Sequence, residues 1–407
     1  MVFDRRNNFI MPNTIKTNSL ATLVAIRMAE SAGYLLVGSR KYFKNQLEDK
    51  RNGQTYRFVI RDTAEPVNSL EANKATDKIN IVEREVSLTL DPWHILVSTN
   101  AIEKVTDLNW DVEIATPNGQ KLINKVVKKV IEKDLGKVGT AFIGQGFTPL
   151  SQGSAHLASI TNEELFGFCD PNVEAILTSN GQQFVPVNAP DMYSKGLLGK
   201  FHGAEYRAQR FFPTVKVSKA LADELTSATV DSIAVDGGDS TKMVLTLDNV
   251  TEQIKKGTPL FIDGVYATDF VGDPTSMPKV FVALEDTSAA GKVSIQAFDY
   301  AGYGTREVAA EDGSNLALSS FAGKSVTGPD AGKYYMAQIR ANGTQEFETL
   351  EKLDAAGADY EKVTVEGINV HQNRLVDIEK MTNDTRWDIV TLAGTVDGRG
   401  VTYAYIR

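Results

Sequence analysis

A regular apolar stripe between residues 116 and 143 constrains the fold of this chain more than any other feature. Its members recur at steps of three, four and five residues: Leu122, Val126, Val130, Leu135, Val138 and Phe142. Thr116 can cap a helix and Pro117 suits its first position, so the pattern predicts one helix from Pro117 to about Ile143. At a rise of about 1.5 Å per residue, it would be on the order of 40 Å long.

The opposite side of this predicted helix is strongly basic. It carries Lys121, Lys125, Lys128, Lys129, Lys133 and Lys137, opposed by Glu132 and Asp134. Lysine is a good helix former, so an ordinary solvated face is one interpretation. A face that weakly screens nucleic-acid phosphate is the other.

Two β-like segments precede the helix. TYRFVIRD (Thr55–Asp62) is rich in aromatic and β-branched residues, and a second segment from Lys78 to Leu90 alternates polar and apolar positions. The residues between them, 63–77, are polar and charged. The pattern predicts an antiparallel hairpin arm that projects from the body.

Shorter elements are predicted on both sides of these features. They are a helix from Ser19 to Gly33, a short helix opened by the capping box Thr161–Glu164, an apolar strand after Asn172, a short helix from Pro190, and a strand ending near Pro213. At the end of the chain, YYMAQIRANG and TRWDIVTLAGTVDGRGVTYAYIR predict three strands, the last two joined through Asp397 and Gly398.

Residues 215–331 have a different character. Short β-like runs such as KMVLTLD, PLFIDGVYA and KVFVALED alternate with turns rich in Gly, Asp, Ser and Thr. Their spacing predicts a small antiparallel barrel or sandwich inserted into another domain. We expect such an insertion to fold independently.

Composition excludes several classes of protein. The 407 residues are enough for two or three structural units, and no stretch approaches the 18 to 20 apolar residues of a membrane span. The N-terminus lacks the apolar run of a signal peptide, so synthesis in the cytosol is expected. A net charge of −9 disfavours tight wrapping of nucleic acid. Cys169 is the single cysteine, which excludes an internal disulfide.

No catalytic pattern is evident in the sequence. The four histidines, His94, His156, His202 and His371, lack the spacing of a zinc helix. GQGFTPLSQGSAH follows a helix and lacks the Lys-Ser/Thr ending of a phosphate-binding loop. We therefore expect no enzyme activity, no cofactor and no metal.

The order of predicted elements resembles the HK97-like coat fold of tailed double-stranded DNA bacteriophages. The inserted β segment makes the chain most similar to P22-type coat proteins. The stretch VLTLDNVTEQIKKGTPLFIDGV (Val244–Val265) of this chain closely resembles the insertion of those proteins. TRWDIVTLAG (Thr385–Gly394) matches the family's C-terminal segment more loosely. The chain departs from the family at the N-terminus, where the arm is short and the longer helix pair has no match.

The resemblance implies an α+β fold with five regions. They are an N-terminal arm and helix (1–50), the extended hairpin (51–92), a peripheral domain with the long helix (93–146 and 332–407), a mixed axial domain (147–214) and an inserted antiparallel β-barrel (215–331). The family places the hairpin over a neighbouring subunit and the axial region around five-fold and six-fold axes.

The resemblance also implies a function and partners. The chain would be a major capsid protein that self-assembles into an icosahedral shell around a phage genome, from pentamers and hexamers. Its partners would be scaffolding protein, a portal at one vertex, cement or decoration proteins, and packaged DNA through weak non-specific contact, with no membrane. It would lie in the virion after assembly in the host cytoplasm. The β-rich insertion leaves open an alternative, a carbohydrate-binding or adhesive virion surface protein.

Charged residues supply the candidate sites. Those proposed for contacts between subunits are Arg57, Arg61, Asp62, Glu65, Lys74 and Asp77, and those proposed for the shell interior are Lys121, Lys125, Lys129 and Lys133. An ordinary solvated hairpin remains the alternative for the first group, because a single exposed ion pair contributes only about 0 to 1 kcal/mol.

Overall fold

The computed structural model describes residues 20–40, 55–61, 82–100, 110–179, 197–287, 291–351, 360–377 and 382–407. Its α-helices are α1 (Leu20–Ser31), α2 (Gly33–Leu36), α3 (Trp110–Asp134), α4 (Thr148–Ile160), α5 (Pro171–Ser179) and α6 (Lys219–Leu225). Strands form several separate sheets, so the predicted α+β class is confirmed.

Two large sheets form the body. The six-stranded sheet contains β1 (Ser39–Arg40), β4 (Asp91–Asn100), β18 (Gln345–Thr349), β19 (Tyr360–Val365), β20 (Ile368–Asp377) and β21 (Thr382–Thr395). The seven-stranded sheet contains β5 (Thr140–Gly144), β6 (Leu165–Cys169), β7 (Leu197–Phe201), β8 (Ala204–Ala208), β9 (Val215–Val217), β17 (Gly332–Ala341) and β22 (Val401–Ile406). The predicted terminal strands correspond to β17, β21 and β22.

Three smaller sheets complete the strand set of the described residues. One contains β10 (Thr229–Val235), β11 (Lys242–Asp248) and β14 (Lys292–Gln296), and another contains β12 (Pro259–Thr268), β13 (Pro274–Val282), β15 (Val308–Ala309) and β16 (Val326–Thr327). The third is a two-stranded ribbon of β2 (Thr55–Arg61) and β3 (Glu83–Thr89), paired antiparallel as predicted for the arm.

The main core lies between α1, α3 and the six-stranded sheet. Met28 from α1, Val127 from α3 and Trp387 from β21 are buried in one cluster. The two helices cross closely at Gly119, where a Cβ atom would lie 2.8 Å from the carbonyl oxygen of Val24. A second cluster packs α4 and α5 against the seven-stranded sheet. Each helix thus buries one apolar face, as its sequence periodicity requires.

The bounds of the long helix differ from the prediction. It begins at Trp110 instead of Pro117 and ends at Asp134 instead of Ile143. Pro117 lies inside the helix on an exposed side, and Asn118 Nδ2 donates a hydrogen bond to Ile114 O at 2.7 Å. Packing of α3 against α1 offsets the backbone hydrogen bond that proline removes.

The end of the predicted helix is a strand. Residues Thr140–Gly144 form β5, which pairs parallel with β22. Gly139 N donates to Val401 O at 2.9 Å and begins this pairing. The apolar spacing of Val138 and Phe142 fitted a helix, but the long-range ladder with the C-terminal strand determines the structure.

Two further predictions around residues 148–179 are wrong. Thr161 ends α4 instead of opening a helix, and residues 165–169 after the supposed capping box form strand β6. The segment predicted as a strand after Asn172 is helix α5. Asp170 caps it by accepting a hydrogen bond from Asn172 N at 2.8 Å. The Asp-Pro pair therefore begins a helix here, with proline at its first position. The predicted helix at Pro190 lies mainly outside the described residues.

Residues 215–331 contain the short antiparallel strands that the sequence predicts, together with a helix that it does not. Helix α6 is capped by Ser218, whose hydroxyl accepts a hydrogen bond from Leu221 N at 3.1 Å. Buried residues of this segment, including Leu245, Phe281 and Ile295, belong to the same core cluster as α1 and α3. The segment is therefore packed tightly against the body.

Arg340 of β17 ties the N-terminal helices to the seven-stranded sheet. Its guanidinium is buried, and it donates to Tyr34 O at 2.5 Å and to Val37 O. Its Cζ lies 4.9 Å from the ring centre of Tyr34 and 4.5 Å from that of Phe168. Burial lowers the pKa of Arg340 to about 10. The charged group is held by carbonyl oxygens at the end of α2 and by aromatic faces.

We expect Arg340→Met to lower the free energy of unfolding by about 1–3 kcal/mol, because it leaves the buried carbonyl oxygen of Tyr34 and the partly buried one of Val37 without this donor. Urea denaturation followed by circular dichroism measures the change. Arg407→Met is the control, since Arg407 makes an exposed pair with Asp330 at 3.4 Å and should contribute less than about 1 kcal/mol. Equal losses in the two variants would contradict a structural role specific to Arg340.

Candidate functional site

The hairpin arm, β2 and β3, is a two-stranded ribbon on the surface of the body. Residues 55–61 pair in antiparallel register with 83–89, and among the described strands neither has a second partner. Val59 is 41% exposed and Ile60 is half-buried. Within the described ranges, neither outer edge of the ribbon therefore forms a backbone ladder with a third strand.

Two of the predicted contact residues, Arg57 and Arg61, form ion pairs across the ribbon. Arg57 Nε lies 3.1 Å from Glu85 Oε1, and Arg61 Nε lies 3.1 Å from Glu83 Oε1. All four side chains are exposed; Arg61 and Glu83 lie directly opposite each other in the ladder, whereas Arg57 and Glu85 are diagonal neighbours. The pairs support the ribbon weakly and keep charge on its surface. The other predicted contact residues, Asp62, Glu65, Lys74 and Asp77, lie outside the described residues.

An apolar contact holds the base of the arm. Tyr56 and Leu88 are opposite each other in the ribbon and form a small buried cluster with Leu392 of β21. At Gly394, a Cβ atom would lie 2.7 Å from Leu88 Cδ2. Glycine at this position allows the arm to lie directly on the six-stranded sheet.

Arg84 anchors the other end of the described ribbon, where it lies opposite Ile60, by charge. Its side chain is 12% exposed; its Nε lies 3.3 Å from Asp299 Oδ2 and its Nη2 lies 3.5 Å from Asp397 Oδ2. Its Nη1 also pairs with Glu307 Oε1. Burial alone would lower the pKa of Arg84, but the three carboxylates raise it. One arginine of the arm therefore meets two segments distant in sequence.

Two further cations balance these carboxylates. Arg399 Nη2 lies 2.7 Å from Asp397 Oδ2, and Lys279 Nζ lies 3.4 Å from Glu307 Oε2. Burial would raise the pKa of Asp397, yet Arg399 and then Arg84 lower it to about 2. We call Arg84, Lys279, Asp299, Glu307, Asp397 and Arg399 the anchor network. Its three cations and three carboxylates compensate one another, as a buried charge cluster requires.

The end of α3 joins this region. Thr395 N donates to Asp134 Oδ2 at 2.5 Å, and Lys137 Nζ pairs with Asp134 Oδ1 at 3.2 Å. Lys137 Nζ also donates to Thr395 O at 3.1 Å. The long helix, the arm and the C-terminal loop therefore converge at one place.

The lysine face of α3 is exposed at all four predicted positions, Lys121, Lys125, Lys129 and Lys133. Lys129 Nζ pairs with Asp91 Oδ1 at 2.7 Å and lies 5.2 Å from the ring centre of Trp93. Among the described residues, no carboxylate forms an ion pair with Lys121 or Lys125.

Sequence reasoning missed the anchor network. The available signal was Arg84, which falls on the same strand face as Val86 and Leu88 and so interrupts an apolar series. An arginine there needs carboxylate partners, but its partner Glu307 lies 223 positions away. Nothing in the local pattern identifies a partner at that separation.

The histidines and the cysteine occupy separate places in the fold. Burial lowers the pKa of His156 to about 4, and Tyr360 donates its hydroxyl hydrogen to His371 Nδ1 at 2.5 Å. Cys169 is buried in β6, where burial raises the pKa of its thiol. Within the described ranges, no group of three or more His, Cys, Asp or Glu side chains could hold a metal ion. None of the described helices is both long and apolar enough to cross a membrane.

No family model matches the sequence. No curated protein matches it either.

Solved structures similar to this chain include three from different sources. The structure titled "Mycobacterium phage Che8" has a TM-score of 0.44 and 10% identity, covering 90% of this chain and 89% of that chain. "Capsid of Ralstonia phage GP4" has a TM-score of 0.43 and 7% identity, covering 87% and 83%. "Crystal structure of virus-like particle from Pyrococcus furiosus" has a TM-score of 0.39 and 8% identity, covering 95% and 97%.

We expect Arg84→Met to loosen the arm by about 2–4 kcal/mol, because it leaves three neighbouring carboxylates without their shared cation. Amide hydrogen exchange should show lost protection in β2 and β3 and unchanged protection in β17 and β22. Arg61→Met is the matched control on the same ribbon, where an arginine 75% exposed pairs with nearby Glu83 and should contribute under about 1 kcal/mol. Protection that is equal in Arg84→Met and wild type would count against the anchor.

Proposed function

We propose that this chain is the major capsid protein of a tailed double-stranded DNA bacteriophage. The observation that carries the proposal is the arm, a ribbon that pairs with no third strand among the described residues and is fixed to its own body through Tyr56, Leu88 and Arg84. A ribbon of this kind is suited to lie across a neighbouring copy. The fold is proposed to be HK97-like, with an inserted β-barrel.

Physical considerations favour a neighbour for the arm. An isolated two-stranded hairpin is at best marginally stable in water, and open strand edges readily pair with another chain. The arm exposes Val59 between charged residues, so it offers both apolar contact and ion pairs. Many moderate contacts of this type allow one subunit to occupy several non-identical environments in a shell.

The proposed organisation follows the five regions predicted from the sequence. Residues 51–92 form the arm, 93–146 and 332–407 the peripheral domain, 147–214 the axial domain and 215–331 the insertion, after an N-terminal region 1–50. The arm would contact adjacent subunits through Arg57, Arg61, Asp62, Glu65, Lys74 and Asp77. The axial domain would cluster in pentamers and hexamers.

The proposed partners are those of a shell subunit. Other copies of the chain come first, followed by scaffolding protein, a portal at one vertex and cement proteins. The chain would lie in the virion and assemble in the host cytoplasm. The titles of two similar structures, a Ralstonia phage capsid and a virus-like particle, name the same kind of assembly. No observation on the described residues favours the adhesive alternative.

An exchange of charges across the arm tests the role of its surface. In Arg61→Glu/Glu83→Arg the cross-strand pair is kept, but each charge presented to a neighbour is reversed. We expect an intact ribbon by hydrogen exchange and at least a severalfold loss of closed particles by electron microscopy, because small contact energies add over many subunits.

The control for this experiment is Arg27→Glu/Glu30→Arg, which exchanges an exposed pair on α1 at 2.6 Å. It should assemble as the wild type does. Normal particle yield from Arg61→Glu/Glu83→Arg would refute the contact role of these arm residues.

The lysine face of α3 is proposed to line the shell interior, where Lys121, Lys125, Lys129 and Lys133 weakly screen packaged phosphate. Replacing Lys121 and Lys125 with glutamine should reduce the DNA retained by purified particles, measured from their ultraviolet absorbance ratio, and leave subunit stability within about 0.5 kcal/mol. The control is Lys216→Gln/Lys292→Gln, at two exposed strand positions. Equal DNA content in both variants would favour an ordinary solvated face.

A further inference from the structure

The three-stranded sheet of β10, β11 and β14 buries one face and exposes the other. Ile233, Leu245 and Val293 form a row across the three strands and are buried in the main core. Because side chains alternate along a strand, their neighbours in sequence point away from that core. These neighbours, which we call the outer face, are all exposed or half-buried: Ser232, Ala234, Val244, Thr246, Lys292 and Ser294.

The centre of the outer face is uncharged. Its residues form two rows across the sheet, first Ser232, Thr246 and Lys292, then Ala234, Val244 and Ser294. The central strand β11 contributes two β-branched side chains, and most of the side chains beside it are small. Sheets stack face to face about 10 Å apart, and short uncharged side chains allow this approach without burial of charge. The centre is therefore suited to contact with another flat sheet.

Charges of opposite sign lie on opposite sides of the outer face. Lys292 is on β14, whereas the exposed Asp231 is on β10 beside Ser232, whose hydroxyl donates to Asp231 Oδ2 at 3.3 Å. Strand β11 separates β10 from β14. A two-fold rotation about an axis along β11 brings β14 of a second copy over β10 of the first. Lys292 of each copy then faces Asp231 of the other, so the surface is complementary to itself.

We propose that the outer face is an isologous interface between two copies of this chain, in which their sheets stack about a two-fold axis along β11. Val244 and Thr246 lie next to the axis and meet the same residues of the second copy. Ala234 of each copy lies opposite Ser294 of the other. The interface is one of the contacts that join subunits in the proposed shell, and in that respect it rests on the proposed function.

The contact is small, which determines how it can be detected. With strands about 4.8 Å apart and same-face residues about 6.8 Å apart, the outer face and its margins cover roughly 300 Å². A stable pair of proteins buries about 800 Å² on each partner. Two free subunits should therefore associate weakly, whereas many copies held side by side in a shell keep the contact formed.

Cysteine cross-linking tests the position of the axis. Cys169, the single cysteine, is buried, so a thiol introduced on the outer face can be addressed selectively. The full-length Val244→Cys chain is treated with a short bis-maleimide, both as assembled particles and as concentrated soluble subunits, and analysed by denaturing electrophoresis. We expect a covalent dimer, at least severalfold more abundant than from Thr364→Cys, an exposed position on β19. Thr246→Cys is the second variant if Val244→Cys does not fold.

Charge reversal tests the two-fold pairing. In the Val244→Cys background, Asp231→Lys and Lys292→Asp each bring like charges opposite one another, so the yield of cross-linked dimer should fall at least severalfold. The double change restores opposite charges and should restore the dimer. Reversal is the sharper change, because a neutral side chain at either position removes a weak attraction without adding repulsion.

The outcomes separate this interface from the shell function. Cross-linked dimer from a soluble chain that forms no particles would support the interface and contradict the shell. Closed particles from which neither cysteine variant gives a dimer would overturn the interface and leave the shell standing. A thiol at position 244 that particles protect from maleimide without cross-linking would mean that another partner covers the outer face, which also overturns the proposal. Failure of the double reversal to restore the dimer has the same consequence.

Discussion

The anchor network around Arg84 is the interaction on which the shape of this protein depends. It joins the arm to the 299–307 segment and to the C-terminal loop at Asp397. Buried charged groups are stable only beside oppositely charged partners, because removal of one partner leaves the others uncompensated. The network therefore specifies where the arm meets the body, while the small apolar cluster of Tyr56, Leu88 and Leu392 supplies contact area.

The proposed shell function requires both an arm that is fixed to its own body and strand edges that can pair with a neighbouring copy. Asp134 fixes the end of α3 to Thr395 of β21, so the long helix and the arm share one support. Between its contacts with the body at Leu88 and Arg84, the described ribbon pairs with no third described strand, and it exposes Val59. Under the proposed shell function, a second copy of the same chain would pair with these edges.

The sequence predicted the elements whose signals are periodic. The apolar stripe from Leu122 to Leu135 indicated the long helix, and alternation in β3 indicated the ribbon. Predictions failed where a local signal competed with tertiary packing: Pro117 lies inside α3, and residues 140–144 join the C-terminal strand β22 instead of a helix. The partners of Arg84 could not be predicted, since spacing along the chain carries no information about side chains more than 200 residues apart.

Cryo-electron microscopy of particles assembled from the purified chain tests most directly whether the arm joins copies into a shell. The expected image is a closed shell in which β2 and β3 of each subunit lie against a neighbouring subunit along their open edges. A chain that sediments only as a monomer under all assembly conditions would contradict this function. So would a shell in which every ribbon contacts only its own body.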